Sequence, residues 1–274
     1  MDEYLRERSR LFNEASEFCC PDSCERHGCR DSELHITISL VDLIGLSQAC
    51  GKKVSSLFGD HCKIGFDPLE ENEPWVGRLT IELKKPCSFL DEKRCCVYLG
   101  RPVACALFPE SFFVLGKGDE LLKKEIFQKF PCITNPGTVP SRRKEILLRV
   151  LQMSAQEIFL SDFYLFGVSP FLVDLKNVAG KVLEGIEVQT EGKAVIPHHR
   201  FEAFLVERLQ KTELLNHWLS RLRLLDRDEG VNEFWRMKAW TDQMVTMGGQ
   251  DSFVPIYQFV GNRLQGTRFH PGSR

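Results

Sequence analysis

The chain has 274 residues, of which 43% are hydrophobic, so it can bury a core of ordinary size as one large domain or two modest ones. Its 36 basic and 38 acidic residues leave a formal charge of -2. This balance excludes the broad electrostatic attraction that nucleic acid or an anionic membrane requires. We therefore predict a protein that binds neither nucleic acid nor membranes.

The apolar stretches of the chain are short. The stretch 158–168 is interrupted by Ser161 and Asp162 and falls short of the roughly 20 residues that a membrane span needs. The first residues, MDEYLRERSR, lack the apolar stretch and cleavage site of a secretory signal. We expect a soluble protein of the reducing cytoplasm, where clustered cysteines ligate metal or do redox work rather than form disulfides.

The first predicted element in chain order is an amphipathic helix from Tyr4 to Phe18, which leads into the loop CCPDSCERHGC. Pro, Gly, Asp and Ser break regular structure in this loop, and an irregular loop lets several side chains converge on one ion. Ser39 followed by Asp42 predicts a capped helix that Gly51 ends.

Hydrophobic periodicity predicts the remaining elements. The first half contains a short helix and two short strands, at residues 54–58, 79–83 and 111–115. Four helices follow, at residues 141–166, 201–225, 231–247 and 253–264. The fold class predicted from this order is mainly α with a small β component.

The predicted elements fall into two domains that differ in cysteine content and in the length of their helices. Residues 1–138 contain all the cysteines and are predicted to form an irregular cysteine-rich metal-binding domain. Residues 139–274 are predicted to form a helical domain that packs on it, with the boundary at the Pro136-Gly137 turn.

The cysteines of the first half are the candidate functional residues. The densest group is Cys87, Cys95, Cys96 and Cys105, within nineteen residues. Thiolates are soft ligands that suit zinc or iron-sulfur clusters, and loops between them let their sulfurs point to a common centre. Side chains of adjacent residues tend to point in different directions, so we expect one of Cys95 and Cys96 to be a bystander.

Further thiols lie on both sides of this group: Cys19, Cys20, Cys24 and Cys29 upstream, and Cys132 downstream. One centre needs four ligands, so the chain carries enough thiols for one centre with spare thiols or for two centres. The spacing departs from simple CxxC pairs, which argues against a zinc ribbon. We predict an iron-sulfur cluster, with 4Fe-4S favoured, and zinc as the alternative cofactor.

The run CSFLDEKRCCVYLGRPVACALFP resembles the signature of a bacterial family of zinc- or iron-chelating cysteine-cluster proteins, the YkgJ-like family. The matching positions are Cys87, Phe89, Leu90, Asp91, Cys95, Tyr98, Arg101, Pro102, Cys105, Phe108 and Pro109. The resemblance implies Cys95 as the ligand, because the second thiol of the family lies three residues before its tyrosine. It extends over roughly residues 18–135, where residues 36–43 are similar to the start of a helix in the family.

The upstream block departs from the family pattern. A compact CxxCxxCC arrangement is replaced here by CC-x3-C-x4-C, which leaves open which upstream thiols ligate. The complete predicted set of metal ligands is Cys19, Cys20, Cys24, Cys29, Cys87, Cys95, Cys105 and Cys132. We expect Cys50, Cys62 and Cys96 to be bystanders.

Arg101 is the predicted cofactor-binding residue, because it would neutralise a thiolate-rich centre and donate hydrogen bonds to its sulfur. The alternative is a structural arginine before a helix begun by Pro102. His27 and His61 are possible mixed ligands, although solvent-facing side chains are the simpler expectation. Asp91 is expected to form a turn, and the pair His198-His199 to begin a helix.

Three functional hypotheses follow. The first is a metal-binding cysteine-cluster protein. The second is an enzyme: flagellin lysine-N-methylases are similar to the YkgJ-like family, which implies methyl transfer from S-adenosylmethionine to a protein substrate. The third is a structural zinc within an interaction module for a protein partner. The chain contains no GxGxxG, P-loop, GxSxG or HExxH motif, and no catalytic residue is assigned.

Aromatic residues of the second half suggest core packing or, alternatively, a pocket or partner groove. They are Phe163, Tyr164, Phe166, Phe171, Phe201, Phe204, Trp218, Trp235 and Trp240.

Overall fold

The computed structural model describes residues 1–15, 24–31, 34–70, 73, 75–114, 123, 125–128, 130, 141–176, 213–247, 253–260 and 263–271. The chain divides into two compact units. The first consists of Met1–Lys63 and Glu82–Ile158, and the second of Ile64–Ile81 and Phe159–Arg274. The predicted boundary at Pro136-Gly137 lies outside the described residues.

The described part of the chain is mainly α with a smaller β part, as predicted. Its helices are α1 Asp2–Ala15, α2 His27–Arg30, α3 Leu40–Cys50, α4 Val54–His61, α5 Val103–Leu107, α6 Glu110–Val114, α7 Glu125–Gln128, α8 Ser141–Phe166, α9 Glu213–Leu224 and α10 Asp228–Met247. None of these helices is both long and apolar enough to cross a membrane.

The strands are β1 Thr37–Ile38, β2 Cys62–Pro68, β3 Val76–Leu83, β4 Leu90–Asp91, β5 Arg94–Cys95, β6 Leu172–Asp174, β7 Phe253–Val260 and β8 Arg263–Pro271. In the larger sheet, β3 pairs with β2 and with β6, and β7 and β8 follow β6. The β3–β6 and β7–β8 pairs are antiparallel, and β6–β7 is parallel. In the first unit, the Leu83 N–H at the end of β3 donates to the Ile36 carbonyl beside β1 at 3.0 Å.

Helix α3 begins and ends as the sequence predicts. The Ser39 hydroxyl accepts a hydrogen bond from the Asp42 N–H at 3.0 Å, and the Asp42 carboxylate accepts one from the Ser39 N–H at 2.9 Å. This reciprocal capping box satisfies two backbone donors that a helix start leaves unpaired. Gly51 ends the helix with φ +63°, a left-handed conformation that glycine adopts without steric cost.

The core of the first unit forms where α1, α5 and α8 meet. Its buried members are Leu11, Phe12, Ala15, Val103, Ala106, Leu107, Leu147 and Val150. Because α5 lies in this core, the segment that follows the cysteine hairpin β4–β5 is anchored by hydrophobic burial on long helices.

The core of the second unit includes several of the aromatic residues that the sequence singles out. Trp218 is 1% exposed, and the rings of Tyr164 and Phe234 meet edge to face with centroids 5.2 Å apart. Trp240, by contrast, is 57% exposed and lines an open groove with Phe163. Core packing is therefore confirmed for Trp218 and Tyr164 but not for Trp240, while Phe201 and Phe204 lie outside the described residues.

Two predicted elements are wrong. Residues 111–115 were predicted as a strand, but they fall largely within helix α6, whose Val114 packs on the core of the first unit. Residues 253–264 were predicted as a helix, but residues 253–260 form β7 and residues 263–264 begin β8. A short apolar run is compatible with the hydrophobic period of a helix or of a strand. Contacts with residues distant in sequence therefore determined which of the two formed. In β7, backbone pairing with β6 and β8 decided the outcome.

Candidate metal centre

Two separate segments meet in the first unit and bring cysteines together. The Cys87 N–H donates to the Cys29 carbonyl at 2.7 Å. Beside this bond, Arg26 Nε donates to the Lys93 carbonyl at 2.8 Å and Arg30 Nη2 donates to the Glu92 carbonyl at 3.0 Å. The upstream cysteine loop is therefore tied to the hairpin that carries the downstream cysteines.

The hairpin β4–β5 places Cys87 and Cys95 near each other. Leu90 pairs with Cys95 across the hairpin, and the Leu90 N–H donates a hydrogen bond to the Cys87 carbonyl at 3.1 Å. Asp91 is the last residue of β4, beside the turn that it is predicted to form, and Glu92 enters that turn with φ +49°. Cys95 is half-buried.

Cys96 differs from its neighbour in exposure. Its side chain is exposed, whereas its backbone N–H is held by the Phe89 carbonyl at 2.9 Å. The adjacent thiols Cys95 and Cys96 thus have different surroundings.

Cys105 lies on α5, and a buried carboxylate fixes the start of that helix. Asp42 Oδ1 accepts a hydrogen bond from the Val103 N–H, the first of α5, at 2.9 Å. The unpaired N–H groups at a helix start favour such a negative charge. Asp42 therefore joins the capped start of α3 to the short helix that carries Cys105.

The Asp42 carboxylate belongs to a buried ion network. Arg8 Nη2 contacts Asp42 Oδ1, while Arg8 Nε and Nη2 each donate to Glu157 at 2.8 Å. Tyr4 donates its hydroxyl proton to Glu157 Oε1, also at 2.8 Å. Burial raises the pKa of Glu157, although Arg8 opposes that shift, and the two carboxylates raise the pKa of Arg8 against the effect of its own burial.

The thiols of Cys29 and Cys87 lie within electrostatic range of each other and of both Cys95 and Cys105. Burial is the largest cause of the raised pKa of Cys29, and the nearby thiols of Cys87 and Cys95 raise that pKa further. Burial likewise raises the pKa of Cys105, with Cys29 and Cys87 contributing. Burial also raises the pKa of Cys95. A metal cation would offset this desolvation and repulsion, since metal binding releases protons from its thiol ligands.

The described thiols therefore suit a metal centre in their donor chemistry and in lying in one region of the first unit. Thiols are the ligand type that zinc and iron-sulfur clusters take, and the backbone contacts above hold them in one region. Among the described residues, however, no group of three or more Cys, His, Asp or Glu side chains is arranged to hold a metal ion. Cys24 is buried, at 4% exposed, and accepts a hydrogen bond from the Arg26 N–H at 3.3 Å. The other predicted ligands, Cys19, Cys20 and Cys132, lie outside the described residues.

The predicted bystander thiols Cys50 and Cys62 have different surroundings. Cys62 begins β2 and is 4% exposed, and burial raises its pKa to about 12, with a smaller contribution from Cys87. Cys50 ends α3, and its pKa is raised by burial and then by Cys96. Cys62 is thus a buried strand residue near one candidate ligand, Cys87.

The histidines near the cysteines have other contacts. The His61 ring nitrogens lie 2.5 Å from Ser88 Oγ and 3.3 Å from Lys52 Nζ, and burial lowers the pKa of His61. His27 packs against Phe130, with ring centroids 5.5 Å apart. Neither ring is simply solvent-facing, and His198 and His199 lie outside the described residues.

Several cationic side chains lie close to the thiols, and besides Arg26, whose charge acts on Cys29, they include Arg101 and Lys85. The Arg101 guanidinium stacks on the Tyr98 ring, 3.9 Å from its centroid, and its charge favours the ionised form of Cys95. Lys85 donates from Nζ to the Gly28 carbonyl. Burial lowers the pKa of Lys85, whereas Cys105, Cys29 and Cys87 oppose that shift. Sequence reasoning identified Arg101 but missed Lys85, although it stands only two residues before Cys87.

Comparison with known proteins identifies no relative of this chain. No protein-family model, curated protein or solved structure matches this chain.

Proposed function

We propose that this protein binds a metal centre through the thiolates of its first half, with an iron-sulfur cluster favoured over zinc. The observation that carries the proposal is the 2.7 Å hydrogen bond from Cys87 to Cys29, which joins the upstream loop to the hairpin. Cysteines 58 residues apart in sequence are thereby neighbours. Unligated thiols seldom group in this way.

The described residues that would hold the centre are Cys29, Cys87, Cys95 and Cys105, with Cys24 as a fifth candidate. Cys19, Cys20 and Cys132 remain predicted ligands. All of these are thiols, and the ring nitrogens of His61 have other partners, so the proposed ligands are sulfur donors. When bound, an iron-sulfur cluster supplies one-electron transfer. The residues around it would hold it, limit its access to water and influence its reduction potential.

Metal analysis of the full chain, purified without oxygen, tests the proposal. We expect iron and acid-labile sulfide with a brown colour, and loss of both in Cys87→Ser. Cys96→Ser is the matched control, because it removes an exposed thiol of the same hairpin and is expected to keep the centre.

Two outcomes would change or end the proposal. Colourless protein with stoichiometric zinc would replace the cluster with a structural zinc site. Folded protein that takes up neither iron and sulfide nor zinc would refute metal binding altogether.

A further inference from the structure

The amine of Lys85 reaches into the region of the candidate ligands. Its Nζ donates to the carbonyl of Gly28, the residue before Cys29. The Cys29 carbonyl in turn accepts the hydrogen bond from Cys87. Two contacts thus join residues 28–29 to residues 85–87, one through the backbone and one through the lysine side chain. The lysine is half-buried rather than extended into solvent.

The surroundings of this amine are rich in sulfur. Nζ contacts the residue before Cys29, Cys87 follows Lys85 by two residues, and the thiols of Cys29, Cys87 and Cys105 together with the Asp31 carboxylate act on the charge of the amine. A zinc ion or an iron-sulfur core held by four thiolates keeps a net negative charge. A partly buried negative charge is costly unless a cation lies near it, and a lysine ammonium is such a cation.

We propose that Lys85 is the counter-ion of the thiolate centre, a positioning residue whose charge stabilises the more negative, reduced form. This inference rests on the proposed function. A fixed positive charge beside a cluster favours addition of an electron, so the lysine raises the reduction potential of the centre.

Three variants of the full chain separate charge from structure. Lys85→Gln keeps a hydrogen-bond donor but removes the charge, and Lys85→Arg keeps both. Lys84→Gln is the matched control, since Lys84 is exposed and donates to the Gly59 and Asp60 carbonyls at 2.7 and 3.2 Å. Each protein is reconstituted without oxygen from ferrous iron and sulfide, and its cluster absorbance is followed in a redox titration.

We expect Lys85→Gln to shift the ratio of oxidised to reduced cluster at least tenfold towards the oxidised form at a given potential. For a one-electron couple this equals about 59 mV. Lys85→Arg and Lys84→Gln should titrate like the wild type. If Lys85→Gln loses the cluster, retention in Lys85→Arg supports the counter-ion, and loss in both variants overturns it.

The outcomes distinguish the two proposals. A wild-type cluster whose potential does not change in Lys85→Gln overturns the counter-ion alone. A wild-type chain that takes up neither iron and sulfide nor zinc overturns the proposed function as well. If the wild type holds zinc, the same variants are compared by chelator competition. At least tenfold weaker zinc binding in Lys85→Gln alone then supports the proposal, and equal affinity in all variants overturns it.

Discussion

Replacing Arg8 with methionine should be among the most destabilising single changes in the first unit. The side chains of Arg8, Asp42 and Glu157 are 4%, 4% and 1% exposed, and one guanidinium serves both carboxylates. Methionine replaces the aliphatic part of the arginine side chain but carries no charge. The substitution would leave two buried carboxylates facing neutral donors, among them the Tyr4 and Ser39 hydroxyls for Glu157 and backbone and hydroxyl groups for Asp42.

Removing one partner of a buried ion pair costs about 3–5 kcal/mol, and we expect a loss in that range. Such a loss is a large part of the stability of an ordinary domain, about 5–15 kcal/mol. The measurement is urea unfolding at neutral pH with the metal content held equal. Arg10→Met is the matched control, because Arg10 lies on the same helix and pairs with Glu7 and Glu14 at the surface.

Surface pairs contribute little, so Arg10→Met should unfold close to the wild type. Equal denaturation midpoints for the two variants would refute the view that the Arg8 network is a buried, strongly coupled unit. A second change, Glu157→Gln in the Arg8→Met background, should recover part of the loss because it removes one of the uncompensated carboxylates.

Two further predictions concern the same unit. Gly100→Ala should cost about 1–3 kcal/mol, because the added Cβ would lie 2.7 Å from the Ala49 Cβ, whereas Gly59→Ala has nothing within 4 Å and should not destabilise. Thermal unfolding of both variants checks this, and equal loss would contradict it. The pKa of Glu157 is raised above 4.5 in the folded state, so the folded protein binds the proton more readily than the unfolded chain. Stability relative to Glu157→Gln should therefore fall as pH rises above 4.5 and level off beyond the folded pKa, and a pH-independent difference would argue against the shift.

The capped start of α3 illustrates what could be predicted locally. Ser39 and Asp42 stand three residues apart, and their reciprocal hydrogen bonds involve only that one turn. The strand β3 and the long helix α8 were predicted for a similar reason, because each has its own hydrophobic period. The same Asp42 also caps α5 and pairs with Arg8, and neither role could be predicted because both partners are distant in sequence.

The candidate centre likewise has some features that the sequence predicts and others that depend on the tertiary structure. Sulfur chemistry and the grouping of Cys87, Cys95 and Cys105 could be read from the sequence, since residue type and spacing carry that information. The backbone contact of Cys29 with Cys87 could not be read, nor could the place of Lys85 beside both. These contacts depend on how the loop docks on the hairpin.

The sequence by itself determined the mainly α character, the capped helix and the concentration of thiols in the first half, because each depends on composition or local periodicity. Tertiary structure decided that residues 110–114 are helical, that residues 253–260 are a strand, and that the Lys85 amine contacts the residue before Cys29. The physical reason is that strand pairing, burial and electrostatic proximity join residues far apart in the chain. Their free energies exceed the small local preferences that a sequence pattern expresses.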